Sequence, residues 1–77
     1  MATLVSAVNT VFTPAVGDFN VQATGAPTLL QRRNTAGAGW ITVGNLNESG
    51  GIVSNPIAAT DYRFISHNAA AVVQADQ

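Results

Sequence analysis

Turn-forming residues cut this chain into pieces too short for long helices. Thr13-Pro14, Gly25-Ala26-Pro27, the stretch from Asn34 to Gly39, Gly50-Gly51, Asn55-Pro56 and His67-Asn68-Ala69 recur at short intervals, and the segments between them are rich in Val, Ile, Thr, Phe and Tyr. Short runs of strand formers, each closed by turn residues, are the pattern of an antiparallel sandwich or barrel. Ala69-Ala70-Ala71 has high helical propensity, but Val72-Val73 follows at once and so short a run does not nucleate a helix. No repeat at a fixed period is visible, which sets solenoids aside.

The runs define about seven strands. Leu4–Phe12 is the first, and Asp18–Thr24 is the clearest, alternating Phe19, Val21 and Ala23 against Asn20, Gln22 and Thr24 with the two-residue period of a half-buried strand. Thr28–Arg33 and Trp40–Val43 are expected to form a hairpin across the glycine-rich loop. Gly50-Gly51 leads into Ile52-Val53, and Asp61–Ser66 and Ala70–Ala75 are expected to pair as the last two strands. The prolines fall at strand ends, where a missing N–H costs no ladder bond. The expectation is one all-β domain over residues 1–77, a small antiparallel sandwich or barrel-like fold, Ig-like in size.

A 77-residue domain buries little surface and is marginal without help from disulfides, a metal or oligomerisation. The chain has no cysteine, and His67 is its one histidine, which removes disulfides, thiolate zinc and multi-histidine sites. Association with further copies is what remains. Charge points the same way, because only 9% of the residues are Asp, Glu or Arg, there is no lysine, and the net charge is −1. A soluble domain ordinarily carries roughly a quarter charged residues. Much of this surface is therefore expected to meet protein rather than water.

Five apolar doublets sharpen that expectation: Leu29-Leu30, Trp40-Ile41, Ile52-Val53, Phe64-Ile65 and Val72-Val73. Neighbours on a strand point to opposite faces, so each doublet places one apolar side chain on a face that strict alternation would leave wet. Scattered surface aliphatics are normal. Five doublets aligned across strands would make an apolar outer face, the mark of an interface, and closed symmetry is how most homo-oligomers use one.

Few residues here bear chemistry. His67 is the one general base near neutral pH and sits in an expected turn, with Ser66 beside it in sequence but directed the other way. Asp18, Glu48 and Asp61 supply oxygen ligands of the type calcium takes, but without the close spacing of a calcium loop. No catalytic role, metal or cofactor is expected. Three arginines give no basic stripe, which argues against nucleic acid, and no signal peptide or membrane span is readable at the start. Asn47-Glu48-Ser49 fits a glycosylation sequon, without a secretory signal to give it meaning.

Arg32 and Arg33 are adjacent and must face opposite ways unless the strand frays before them. One then points toward an interior or an interface, where its planar fork could pair with a carboxylate of a neighbouring subunit. Arg63 faces away from Tyr62 and Phe64 and has the same option. Trp40 is either a stacking platform for a sugar or an anchor in a core or interface.

The order Thr28-Leu29-Leu30-Gln31-Arg32-Arg33, a loop with Gly37 and Gly39, Trp40, Ser54-Asn55-Pro56 and Asp61-Tyr62-Arg63-Phe64 resembles small β-sandwich virion proteins of tailed bacteriophages, over about Phe12 to Ala75. The resemblance implies a capsid decoration, or cement, protein. Such a protein is made in the host cytoplasm and resides in the virion as a homo-oligomer, with a trimer favoured, bound to the major capsid protein. With no long N-terminal arm beyond Met1 to Ser6 to lace into a shell, attachment by a strand edge or a flat face is expected. The alternative is a tail or fibre module that recognises a host glycan. The residues expected at a subunit or capsid interface are Leu29, Leu30, Arg32, Arg33, Trp40, Ile41, Ile52, Val53, Arg63, Ile65, Val72 and Val73.

Overall fold

The computed structural model describes residues 1–77. It is all-β, with strands β1 (Thr3–Val5), β2 (Phe19–Thr24), β3 (Thr28–Arg33), β4 (Ile41–Leu46), β5 (Ser49–Val53), β6 (Asp61–Ile65) and β7 (Val72–Asp76). They form a four-stranded sheet in the order β1-β7-β2-β5 and a three-stranded sheet in the order β4-β3-β6. Every pairing is antiparallel, and the two sheets pack as a small β-sandwich.

Alternation explains the core. Phe19, Val21 and Ala23 of β2, Leu30 of β3, Tyr62 and Phe64 of β6, and Val73 and Ala75 of β7 all point between the sheets. The aromatic rings meet at its centre, Phe19 edge-on to Tyr62 with centroids 4.8 Å apart and Phe12 stacked on Phe64 at 5.8 Å. Fully burying one such ring is worth about 2–3 kcal/mol. Asn55 is the buried polar clip beside them: its Nδ2 donates to Ala15 O at 2.8 Å, its Oδ1 accepts from the Tyr62 hydroxyl at 3.4 Å, and its carbonyl accepts from Gly17 N at 2.8 Å. A buried amide persists only when its bonds are made, since leaving such partners bare costs about 1–3 kcal/mol.

One expected strand and one expected pairing are corrected. The run Leu4–Phe12 is not one strand: it gives β1 to the four-stranded sheet, turns at Asn9, and then lays Phe12 against the other sheet. Asn9 takes a φ of 59°, a left-handed conformation that asparagine tolerates better than most residues. Its N–H then reaches Phe64 O at 2.6 Å, while Phe12 and Tyr62 exchange backbone bonds at 2.9 and 2.8 Å. The last two strands also do not pair with one another. Asn9 and Phe12 already occupy the free edge of β6, and β7 crosses to lie between β1 and β2. The crossing is anchored by Ser66 Oγ, which donates to Pro27 O at 3.1 Å, and by Asn68, whose Oδ1 accepts from Ala70 N at 2.9 Å.

The hairpin of β3 and β4 forms, with a bulge that leaves Val43 without a partner between Leu30↔Gly44 and Gln31↔Thr42. Trp40 precedes β4 rather than opening it, and β4 runs on to Leu46. Asn47-Glu48, part of the sequon, is the corner between β4 and β5, and Glu48 turns there with a φ of 53°. Its carboxylate accepts from Gly25 N at 2.7 Å. Glycine is required at position 25 because φ is +87° and a Cβ would collide with the Ala70 carbonyl.

Candidate functional site

Register decides what stands on the outside of the three-stranded sheet. Tyr62 and Phe64 face the core, so Arg63 faces out, opposite Gln31, while Arg33 stands opposite Asp61. Arg63 Nε donates to Gln31 Oε1 at 3.0 Å, and Gln31 Nε2 donates to Thr42 Oγ1 at 3.3 Å. Arg33 Nε donates to Asp61 Oδ2 at 2.9 Å, and Thr13 Oγ1 donates to Asp61 Oδ1 at 2.7 Å. Trp40 lies over both cations, with the guanidinium carbon of Arg63 4.2 Å and that of Arg33 4.5 Å from the ring centroid. Each such contact is worth about 0.5–1 kcal/mol at a partly exposed site.

The Thr13 hydroxyl holds the Asp61 carboxyl below its usual range; burial opposes that, and the hydrogen bond and charge of Arg33 add to it. Burial pushes the Tyr62 phenol up, against a smaller opposing effect from Arg32.

Arg32 and Arg33 do face opposite ways, and β3 extends through both, so the strand is not frayed. Arg32 lies on the Tyr62 side and donates from Nη2 to Asn34 Oδ1 at 2.7 Å. The carboxylate partner of Arg33 is Asp61 of its own chain, which replaces the expected pairing with a neighbouring subunit for this residue. Trp40 is half-buried, and two guanidinium groups already lie against its indole, which leaves less ring for stacking a sugar.

The doublets separate as alternation requires but do not merge into one face. Leu30 and Val73, both 2% exposed, belong to this chain's own core together with Phe64, and neither offers a side chain to a partner. Val53 is half-buried against that core. Leu29 and Ile65 are the one outward pair that meets directly, across β3 and β6. On the other sheet Ile52 stands opposite Asn20 and Val72 opposite Thr24, with Gln22 and Gln74 paired between them. The outer face of that sheet is therefore polar at its middle, with apolar corners. Ile41 is exposed at the end of β4 opposite Arg32.

What the sequence reading missed is the side of the sandwich where β4 and β5 lie. Each is the last strand of its own sheet, and the two do not pair with each other. The inward positions flanking the gap are glycines, Gly44 opposite Leu30 and Gly51 opposite Val21. A cleft of about 270 Å³ opens there and reaches those two core residues. The sequence signal was available in principle: Gly44 and Gly51 occupy positions where strand alternation calls for apolar side chains.

No arrangement for catalysis emerges around His67. Ser66 Oγ is engaged as donor to Pro27 O and as acceptor from Asn68 N at 3.2 Å, so it is not poised as a nucleophile. Asp61 is taken up by Thr13 and Arg33, Glu48 by Gly25, and no three His, Asp or Glu side chains converge on a point that could hold a metal ion. No helix is long and apolar enough to cross a membrane. No protein-family model, curated protein or solved structure matches this chain.

Proposed function

We propose that this chain is a non-catalytic structural subunit that acts by assembling, as a decoration protein on the head shell of a tailed phage. The observation that carries the reading is the open side of the sandwich. Two strand edges there, in a chain poor in charge everywhere, present backbone donors and acceptors without the lysines, prolines or inward charges that monomeric sheet proteins use to keep edges apart. The Arg33–Trp40–Arg63 cluster supports the same reading as a rigid polar face beside the apolar Leu29–Ile65 pair, the mix of anchor and orienting groups found at interfaces. Copies form a symmetric homo-oligomer, a trimer by the resemblance to phage virion proteins, and contact the major capsid protein. Repetition over the shell multiplies each weak contact into firm attachment.

Light scattering on the purified protein, followed by co-sedimentation with expanded phage heads, tests the reading. An oligomer at micromolar concentration that sediments with heads is the expected result. A stable monomer that stays in the supernatant would overturn it.

A further inference from the structure

The fold uses its three arginines differently. Arg32 commits the end of its fork to Asn34, through Nη2 at 2.7 Å. Arg33 and Arg63 are held instead by Nε, at 2.9 Å from Asp61 Oδ2 and 3.0 Å from Gln31 Oε1, and neither makes a hydrogen bond through Nη1 or Nη2. No buried side-chain nitrogen lacks a partner, so these Nη groups are open to water. Two forks on one face of the sheet therefore present their paired donors outward, with their inner ends already fixed.

Trp40 decides where those forks stand. Its ring centroid lies 4.2 Å from the guanidinium carbon of Arg63 and 4.5 Å from that of Arg33, so the two cations are no farther apart than these distances laid end to end. A bond at Nε and an indole against the guanidinium plane leave each side chain little freedom. The ordering cost that a surface arginine ordinarily meets on binding has here been met in folding.

Charge in the cluster is not balanced. Arg33–Asp61 is the one ion pair of the chain, and Arg63 stands opposite the neutral Gln31. Glu48 is taken up by Gly25 N, and Asp76 belongs to β7 of the other sheet, beside Gln74. Two guanidinium groups and one carboxylate leave a single positive charge on a chain whose net charge is −1. One monovalent anion neutralises that charge, whereas a phosphate dianion overshoots it. Three arginines also lack the run of cations that a polyphosphate backbone needs.

We infer that Arg33, Arg63 and Trp40 form a binding site for one carboxylate, whose oxygens accept from the free Nη groups while Asp61 and Gln31 hold the forks from behind. A planar carboxylate matches a planar fork through two parallel charge-assisted bonds. The carboxylate comes from a small free acid or from an Asp or Glu side chain of another protein. The site does not depend on the assembly reading, because it is complete within one chain.

Nitrogen NMR of the labelled protein tests it, following the Nε–H signals of the arginines and the indole N–H of Trp40 during titration with sodium acetate, against sodium chloride at equal ionic strength. Arg33, Arg63 and Trp40 should shift to saturation in acetate and not in chloride, while Arg32, on the other face of β3, stays in place. Arg63→Gln should weaken acetate binding by about tenfold or more, and Arg32→Gln should leave it unchanged. Dianionic inorganic phosphate should bind more weakly than acetate. A blocked peptide with one glutamate, compared with its glutamine counterpart, identifies the source: a glutamate peptide that binds more tightly than acetate assigns the site to a protein partner, and the reverse order assigns it to a small acid. Shifts that are equal in acetate and chloride, an Arg32 signal that moves with the other two, or phosphate that binds as tightly as acetate overturns the inference. Undiminished acetate binding by a folded Arg63→Gln chain overturns it as well, and the wild-type shift pattern decides the matter if that variant does not fold.

Discussion

Asp61 is the residue on which the outer face of the three-stranded sheet turns. Its two oxygens hold Thr13, from the segment that crosses between sheets, and Arg33, at the end of β3, so one carboxylate links three parts of the chain. The Thr13 hydroxyl leads in lowering its pKa below the ordinary value of 3.8, and Arg33 adds to that against the opposing effect of burial. A carboxyl whose folded pKa lies below its unfolded one stabilises the fold fully above the unfolded value, and the contribution disappears as pH falls through the folded value. Stability of the wild type should therefore decline below about pH 4, and Asp61→Asn should show a flatter dependence over that window. Urea unfolding across a pH series, read by Trp40 fluorescence, measures it. Parallel curves for the two proteins would show that the Thr13 and Arg33 bonds do not favour the ionised form.

Along β3 the same alternation gives adjacent arginines different work. Arg33 holds an ion pair with both side chains largely buried and lies on Trp40, whereas Arg32 reaches only Asn34. Arg33→Ala should cost about 1 kcal/mol more stability than Arg32→Ala, measured by chemical denaturation, and equal losses would contradict the pairing of Arg33 with Asp61 across β3 and β6. Such facing was legible in the sequence because it follows from a period of two within one strand. The strand count and the Phe19–Thr24 alternation were legible for the same reason. Partner choice was not: that β7 joins β2 rather than β6 depends on Asn9 and Phe12 having taken the β6 edge, a long-range event with no local signature. Leu4–Phe12 read as one strand because apolar residues continue past Asn9, and a single left-handed residue carries no periodic signal. Arg33, Trp40 and Arg63 each stood out by residue type, yet their contact depends on the register of β3 with β6. The cleft escaped notice because Gly44 and Gly51 mark it by what they lack.

In the whole molecule, β7 occupies an inner place in its sheet although it comes last in the chain. β1 has no hydrogen-bonded neighbour except β7, and β2 has one of its two sides satisfied only by β7. A chain stopped after Ser66 should therefore lose its cooperative thermal transition in circular dichroism. A truncated chain that melts sharply would mean that β2, β5 and the three-stranded sheet hold together alone. The placement of β7 also sets a schedule. While the ribosome is still adding residues, Phe19–Thr24 has emerged but the strand that pairs along one of its edges has not, so the nascent chain carries a half-built, nearly uncharged sheet. Completion of the four-stranded sheet must wait until Val72–Asp76 is free to pair, and until then chaperone capture competes with folding. Only molecules past that interval have a finished β2–β7 pairing behind the Val21 floor of the cleft, so the cleft acquires its finished floor late.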